Sequence, residues 1–201
     1  MKKLLVLALT VLASVSFAAD KAAAKKDAKT TPAVEPAKMD VTGELKWTGH
    51  GVGKEHHGTL TLKSGDVEFK GDELVGGMFV IDMTTLKTGD SPKLEGHLKS
   101  PDFFDVDKFK EGTFKITKVE AIKGAKAGEA THKITGDLTI KGKTNSETFS
   151  ATITKNGKSY AGVAKAQIAD RTKYDIVYNS GKFKAVSALG DKLIEDKIDV
   201  E

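Results

Sequence analysis

Ile134-Thr135-Gly136-Asp137-Leu138-Thr139-Ile140-Lys141 decides the fold, because apolar or small residues alternate with polar ones along it. A side-chain period of two puts one set on each face of a half-buried strand, whereas a helix repeats near 3.6. The same alternation runs through Thr113-Phe114-Lys115-Ile116-Thr117 upstream and Phe149-Ser150-Ala151-Thr152-Ile153-Thr154 downstream. Thr, Val, Ile and Phe at such positions suit a pleated surface. Turn signals separate the runs: Ser64-Gly65-Asp66, Lys141-Gly142-Lys143 and Asn156-Gly157. The last is the strongest, since Asn-Gly supplies the positive φ angles of a tight hairpin. Strands are expected near 44–53, 57–63, 66–71, 74–84, 113–122, 131–141, 146–155 and 158–168, with another near 191–200. Consecutive strands with short turns imply an antiparallel meander that closes on itself. One helical stretch, about Pro92 to Phe104, interrupts it. There Pro92 opens a turn, and Ser100-Pro101 reads as an N-cap followed by proline at the first helical position. Asp102, Asp105 and Asp107 then cap and solvate the short helix.

The expected fold class is therefore all-β: a soluble antiparallel β-barrel of about eight strands with one short helical insertion. A barrel facing lipid would need aromatic girdles. Only 6% of residues are aromatic, and the polar set is rich in Lys, Glu and Asp that would crowd a narrow lumen. Charged outside and apolar inside fits better. The inward set mixes large residues (Phe79, Ile81, Phe114, Ile116, Leu138, Ile140, Ile153) with small ones (Gly77, Gly136, Ala151, Gly162, Ala164). Small barrels either fill with side chains or hold one ligand, and alternation alone leaves both open.

Outward from the barrel, the N-terminal region has a different composition. Met1-Lys2-Lys3, the uncharged apolar run Leu4 to Val15 and the small residues of Ser16-Phe17-Ala18 form the three-part layout of a secretory signal peptide, 1–18. The apolar run is shorter than the roughly 20 residues of a membrane-spanning helix. Residues 19–38 are almost wholly Ala, Lys, Asp, Thr and Pro, a composition that buries too little to order itself, and are expected to be a disordered linker. Residues 39–201 are one domain's worth of chain. The excess of Lys and Arg lies in the N-terminal segment: seven of the 32 basic and three of the 28 acidic residues precede residue 39, leaving 25 of each on the domain. A nucleic-acid binder needs a basic folded face, so that class is excluded, while the basic tail is suited to transient contact with an anionic membrane. There are no cysteines, hence no disulfides, no thiol nucleophile and no lipidated N-terminal cysteine. The expected location is the periplasm.

In the middle of the chain, His97-Leu98-Lys99-Ser100-Pro101-Asp102-Phe103-Phe104-Asp105-Val106-Asp107-Lys108-Phe109 resembles the signature segment of the YceI-like family. Thr113-Phe114 follows at the family's distance, and Gly136-Asp137-Leu138-Thr139-Ile140-Lys141-Gly142-Lys143-Thr144 is similar to its later hairpin. Ile81-Asp82-Met83-Thr84-Thr85-Leu86 and Asp170-Arg171-Thr172-Lys173-Tyr174-Asp175-Ile176 fit in the same order, so the resemblance covers roughly Gly43 to Val200. It departs at Lys110, where a proline often follows the helix, and in the long Ala/Lys tail. The resemblance implies a lipocalin-like barrel in the bacterial periplasm that binds an isoprenoid lipid, a polyprenyl phosphate or an isoprenoid quinone, in an elongated apolar cavity. It implies no catalytic centre and no required cofactor beyond the bound lipid.

A lipid chain needs apolar walls, and the expected lining is Phe79, Ile81, Phe114, Ile116, Leu138, Ile140 and Ile153. His57, His97 and Arg171 are candidates for a polar mouth that meets a headgroup. His56 and His57 are adjacent on a strand and point to opposite faces, so no metal site is expected there. Arg171 is the only arginine beside 31 lysines. A lone guanidinium suits a bidentate pair with a carboxylate or phosphate, and an internal salt bridge to Asp170 or Asp175 would use it equally. No nucleophile elbow, HExxH pair or phosphate loop is present, so the chain is not expected to be an enzyme. The alternative is a solid-core barrel acting as a periplasmic stress or interaction module. A homodimer is compatible with either.

Overall fold

The computed structural model describes residues 35–201. The expected signal peptide, and the linker up to residue 34, lie outside the described residues. The linker's last two residues, Ala37 and Lys38, belong to the first strand. Nine strands follow in order: β1 (Ala37–Asp40), β2 (Glu44–Gly51), β3 (Lys54–Lys70), β4 (Glu73–Thr88), β5 (Glu111–Ala121), β6 (His132–Ile140), β7 (Lys143–Asn156), β8 (Ser159–Ile168) and β9 (Ile194–Val200). Two short helices, α1 (Pro92–Lys99) and α2 (Val186–Leu189), lie between strands. Every pairing is antiparallel, and the order β1-β3-β2-β9-β8-β7-β6-β5-β4 closes through β3–β4. β1 and β2 lie end to end along one edge of β3, with Asp40 opposite Asp66 and Glu44 opposite Thr61, so nine strands make eight staves.

Two local readings of the sequence are corrected. Ser64-Gly65-Asp66 is not a turn but the middle of β3, which runs for 17 residues and slips register between Leu62 and Ser64. Gly65 is there for space: a Cβ would stand 3.0 Å from Phe79 Cδ1. The chain reverses instead at Gly71-Asp72, where Gly71 has φ +65°. The helix covers only Pro92–Lys99, with Ser91 as N-cap, its side chain accepting from Leu94 N. Ser100 is the C-cap, its N–H bonded to His97 O, because a residue before proline is driven to extended geometry and ends a helix. Asp102, Asp105 and Asp107 therefore lie after the helix, and Asp105 takes φ +48° in the turn.

Between β8 and β9, a 3₁₀ turn at Arg171–Tyr174 and the segment to Ser180 plug the end of the barrel that carries the β6–β7 hairpin. Tyr174 and Ile176 are 0% and 1% exposed and pack into the main core beside Phe114, Leu138 and Ile140.

Candidate ligand-binding site

Alternation along β5 and β6 turns Phe114, Ile116, Ile134, Leu138 and Ile140 inward, and all are buried. Ladder pairing carries the face around the wall: Phe79 opposes Phe114, which opposes Leu138, and Ile153 opposes Gly162. Opposed residues in an antiparallel ladder share a face, so all seven expected lining residues lie on the inside. Six join the main cluster, with Phe79 and Ile153 only partly buried. Ile81 packs separately with Met83 and Val106, beside Leu60, Leu62 and Phe104.

An aromatic layer crosses this space. The Phe79 and Phe114 rings are 6.4 Å apart and Phe114 and Phe149 are 4.7 Å apart. Room for Phe114 comes from Gly136, where a Cβ would stand 2.4 Å from its Cζ. Gly77 is equally committed, its missing Cβ lying 2.6 Å from Asp66 O. Two of the small inward residues thus seat neighbours instead of leaving a void. Ala151 is buried as well.

β8 differs. Gly162 and Ala164 share the inner face with Ile153 and Ala151, yet both are exposed, as are Ala161, Val163 and Lys165 between and beside them. A Cβ on Gly162 would meet only Thr152 O at 3.7 Å and Ile153 Cγ1 at 3.9 Å. Beside this stretch lies a groove of about 720 Å³, mainly apolar, bordered by Trp47, Gly58, Lys165, Ala166 and Val200. That volume is within the range of small-molecule sites, about 300–1,000 Å³. The Trp47 indole N–H is buried with no acceptor among the described residues.

Polar groups sort by end. At the plug, Arg171 is 2% exposed and donates from Nε to Glu195 O (3.1 Å), from Nη1 to Ile176 O (2.7 Å) and from Nη2 to Tyr178 O (2.9 Å) and Ile194 O (3.3 Å). Its nearest carboxylate is Asp196, at 3.6 Å, and not Asp170 or Asp175. Burial lowers the guanidinium pKa, partly offset by Asp196 and Asp170. Burial pushes Asp170 up, but bonds from Lys182 and Thr172 outweigh it and leave its carboxyl below the usual range. The Tyr174 hydroxyl donates to Glu147 Oε1 at 2.9 Å, and burial together with that carboxylate drives the phenol well above its ordinary value.

His97 is also tied into the packing. It bonds Asp102 at 3.0 Å and meets the rings of Phe103 and Tyr178 edge-on at 5.0 and 4.7 Å, fastening α1 to the plug. His57 borders the groove beside Trp47, its Nδ1 3.0 Å from Thr48 Oγ1 and its Nε2 3.8 Å from Glu55. His56 turns the other way to Asp90, and His50 bridges Glu55 and Asp199. Among the described residues, no three of His, Asp and Glu are grouped to hold a metal. The structure places Arg171 and His97 together near the plug and His57 apart from both.

His132 was missed by sequence reasoning. It opposes Ala151 and so shares the inner face, its Nδ1 2.8 Å from Thr131 Oγ1, and burial lowers its pKa. The signal was its place two residues before Ile134 in an alternating strand. Tyr174, Glu147 and Trp47 were also missed. Their roles depend on contacts distant in sequence, which periodicity does not report.

Comparison with known proteins follows the same outline. The chain is 37% identical over 91 residues to a UPF0312 protein of Staphylococcus aureus, covering 42% of this chain and 47% of that protein. It is 32% identical over 118 residues to a UPF0312 protein of Pseudomonas putida, covering 58% and 55%. The chain thus spans about half the length of the curated relatives it matches. Its fold is similar to that of Burkholderia cenocepacia BcnA, with a TM-score of 0.60 at 21% identity over 78% of this chain and 91% of that one. It is also similar to a polyisoprenoid binding domain from Saccharophagus degradans, with a TM-score of 0.50 at 12% identity over 78% and 88%. The YceI-like domain model matches residues 15–201, and the chain belongs to that family.

Proposed function

We propose that this chain is a periplasmic carrier that holds an isoprenoid lipid, a polyprenyl phosphate or an isoprenoid quinone, inside the barrel. One observation carries this: on β8 the inner wall is uncovered at Gly162 and Ala164, next to the mainly apolar groove at Lys165 and Ala166, while most of the remaining wall is apolar. Each prenyl methylene buried there contributes about 0.8 kcal/mol. The seven lining residues form the apolar wall, and the polyisoprenoid binding domain of similar fold supports the class of ligand. The headgroup takes the mouth, where the inner row ends in His132 and Lys155. The deeper polar groups are already bonded within the plug, Arg171 to carbonyls and Glu147 to Tyr174, and would leave a buried phosphate without partners. Periplasmic location rests on the signal-like N-terminus.

A second reading, a solid-core barrel acting as a stress or interaction module, is favoured by the layer Phe79–Phe114–Phe149 across the lumen. Native mass spectrometry of protein from a periplasmic fraction, followed by organic extraction, separates the two. The carrier reading expects a mass excess that resolves into a quinone or a polyprenyl phosphate. A clean apo mass that does not shift when either lipid is added would leave the solid-core reading. Replacing both Ile116 and Ile140 with Trp is expected to abolish copurification, and unchanged lipid content would reject that lining.

A further inference from the structure

The wall is not equally closed around its circumference. β6 and β7 match nine residue pairs and β7 and β8 match seven, whereas β8 and β9 match three, Ala166–Ile168 with Ile198–Val200. From Ser159 to Lys165, β8 is paired only to β7 among the described residues. Across the seam stands the β1–β2 stave, whose residues Ala37–Asp40 are paired, among the described residues, only to β3. The lips are small and apolar: Ala161, Gly162, Val163 and Ala164, all exposed. The first charge met along β8 is Lys165, paired with Glu201 at 3.3 Å. The groove beside Trp47 begins where the paired joint ends, since Lys165, Ala166 and Val200 border it.

Among the described residues, what crosses the seam at the mouth is made of side chains alone. The Phe69 ring on β3 stacks on Tyr160 of β8, with centroids 4.1 Å apart. Asp72, in the β3–β4 turn, accepts from the Tyr160 hydroxyl at 3.2 Å and from the Lys155 ammonium of β7. Their mutual bond holds the Asp72 carboxyl below and the Lys155 ammonium above their usual ranges. Both side chains are exposed, where an ion pair is individually weak and readily broken. Parting the β7–β8 or β8–β9 joint on either side would break ladder hydrogen bonds, but among the described residues parting this stretch breaks none.

The geometry points to a lateral gate: the seam between β8 and the β1–β2 stave is where an isoprenoid chain passes into and out of the lumen, and Phe69, Asp72, Lys155 and Tyr160 are the clasp that shuts it. This rests on the lipid-binding reading above. A chain laid sideways through the slit meets Gly162, Ala164 and the inner apolar wall along its length. A chain threaded end-on must pass the Phe69–Tyr160 stack and the aromatic layer.

The chain has no cysteine and one tryptophan, which makes the test direct. Asp72→Cys and Lys155→Cys are introduced together, and one sample is bridged with a short bis-maleimide while another is capped with N-ethylmaleimide. Quenching of Trp47 fluorescence by a prenylated benzoquinone is followed in a stopped-flow instrument. The capped protein is expected to load faster than wild type and the bridged protein about tenfold more slowly, since association slows when it needs an opening that is blocked. Equal rates for bridged and capped protein, both reaching full quenching, would overturn the gate and leave the lipid reading intact. Failure of the wild-type protein to bind the quinone, by quenching or by native mass, would overturn both.

Discussion

The two ends of this barrel solve opposite problems. At the plug, Arg171, Tyr174, Ile176 and Ser180 are at most 2% exposed, and one guanidinium ties Ile176, Tyr178, Ile194 and Glu195 together through their carbonyls. At the seam, four consecutive small or β-branched residues of β8 are exposed on both faces, and the closure is one solvated ion pair, one phenol bond and one ring stack. Buried groups that leave water must be fully bonded, which makes them rigid, whereas solvated contacts exchange with water at little cost. The comparison teaches that the fold concentrates its stability at one end and leaves access to the other.

Native-state hydrogen exchange tests that division most broadly. Amides of Ser159–Lys165 that face the seam are expected to exchange through openings near zero free energy, while the amides of Tyr174 to Ser180 exchange only on global unfolding, about 5–15 kcal/mol for a domain. Equal protection at both ends would break the comparison. A narrower test is Arg171→Met, which leaves four carbonyls and the Asp196 carboxylate without their cation. It is expected to lose about 3–5 kcal/mol in urea denaturation, whereas Asp72→Asn at the mouth leaves the midpoint where it was. Arg171→Lys recovers little, because an ammonium lacks the planar fork that reaches several acceptors.

Two glycines on the same inner face sharpen the point. Gly136→Ala drives a methyl to 2.4 Å from Phe114 Cζ and 2.5 Å from Lys115 O, so about 1–3 kcal/mol of overpacking is expected. Gly162→Ala meets nothing closer than 3.7 Å and is expected to be neutral or to stabilise by about 0.4–1 kcal/mol through the unfolded chain. Thermal midpoints of the two variants measure the difference. A Gly162→Ala protein as unstable as Gly136→Ala would mean the inner wall at β8 is packed and the slit does not exist.

These glycines also mark how far the sequence could be read. The inner faces of β5 and β6 were legible because strict alternation is a local signal and burial there is continuous. The start of the helix at Pro92 was legible from local signals but its end was not, and the structure gives His97 and Phe103 of the signature segment a packing role against Tyr178. Gly136 looked like empty space, and only the path of Phe114 across β6 shows that it is filled. Ser64-Gly65-Asp66 looked like a turn because glycine answers two demands, backbone reversal and room for a neighbour, and the sequence does not say which applies. Ser100-Pro101 likewise reads as the start or the end of a helix. Arg171 stood out by its rarity, but its acceptors are backbone carbonyls up to 24 residues away and carry no side-chain signature. The seam was illegible for the same reason, since it is set by how far β9 runs beside β8.

The smallest expected effect belongs to His132, in the inner row that ends at the seam. Its opposite residue, Ala151, faces Ala164 across β7 and β8, so the imidazole is two staves from the opening. Burial lowers its pKa from 6.5, which means the fold prefers the neutral ring. Above pH 6.5 both folded and unfolded chains hold it neutral, and the stability is complete. As pH falls through 6.5 the unfolded chain takes up the proton first, so stability declines until the folded ring also titrates and is then level. Carboxylates held low, such as Asp170 and Asp199, act only in a more acidic window and do not obscure it. Wild type is therefore expected to lose under about 1 kcal/mol between roughly pH 7 and 5, and His132→Gln to lose none of that increment. Lipid drawn through the seam covers this ring further, deepens its desolvation and steepens the loss, provided the headgroup offers it no negative charge. A slope that is the same with and without bound quinone would place the chain away from the β6–β7–β8 row, and the gate with it.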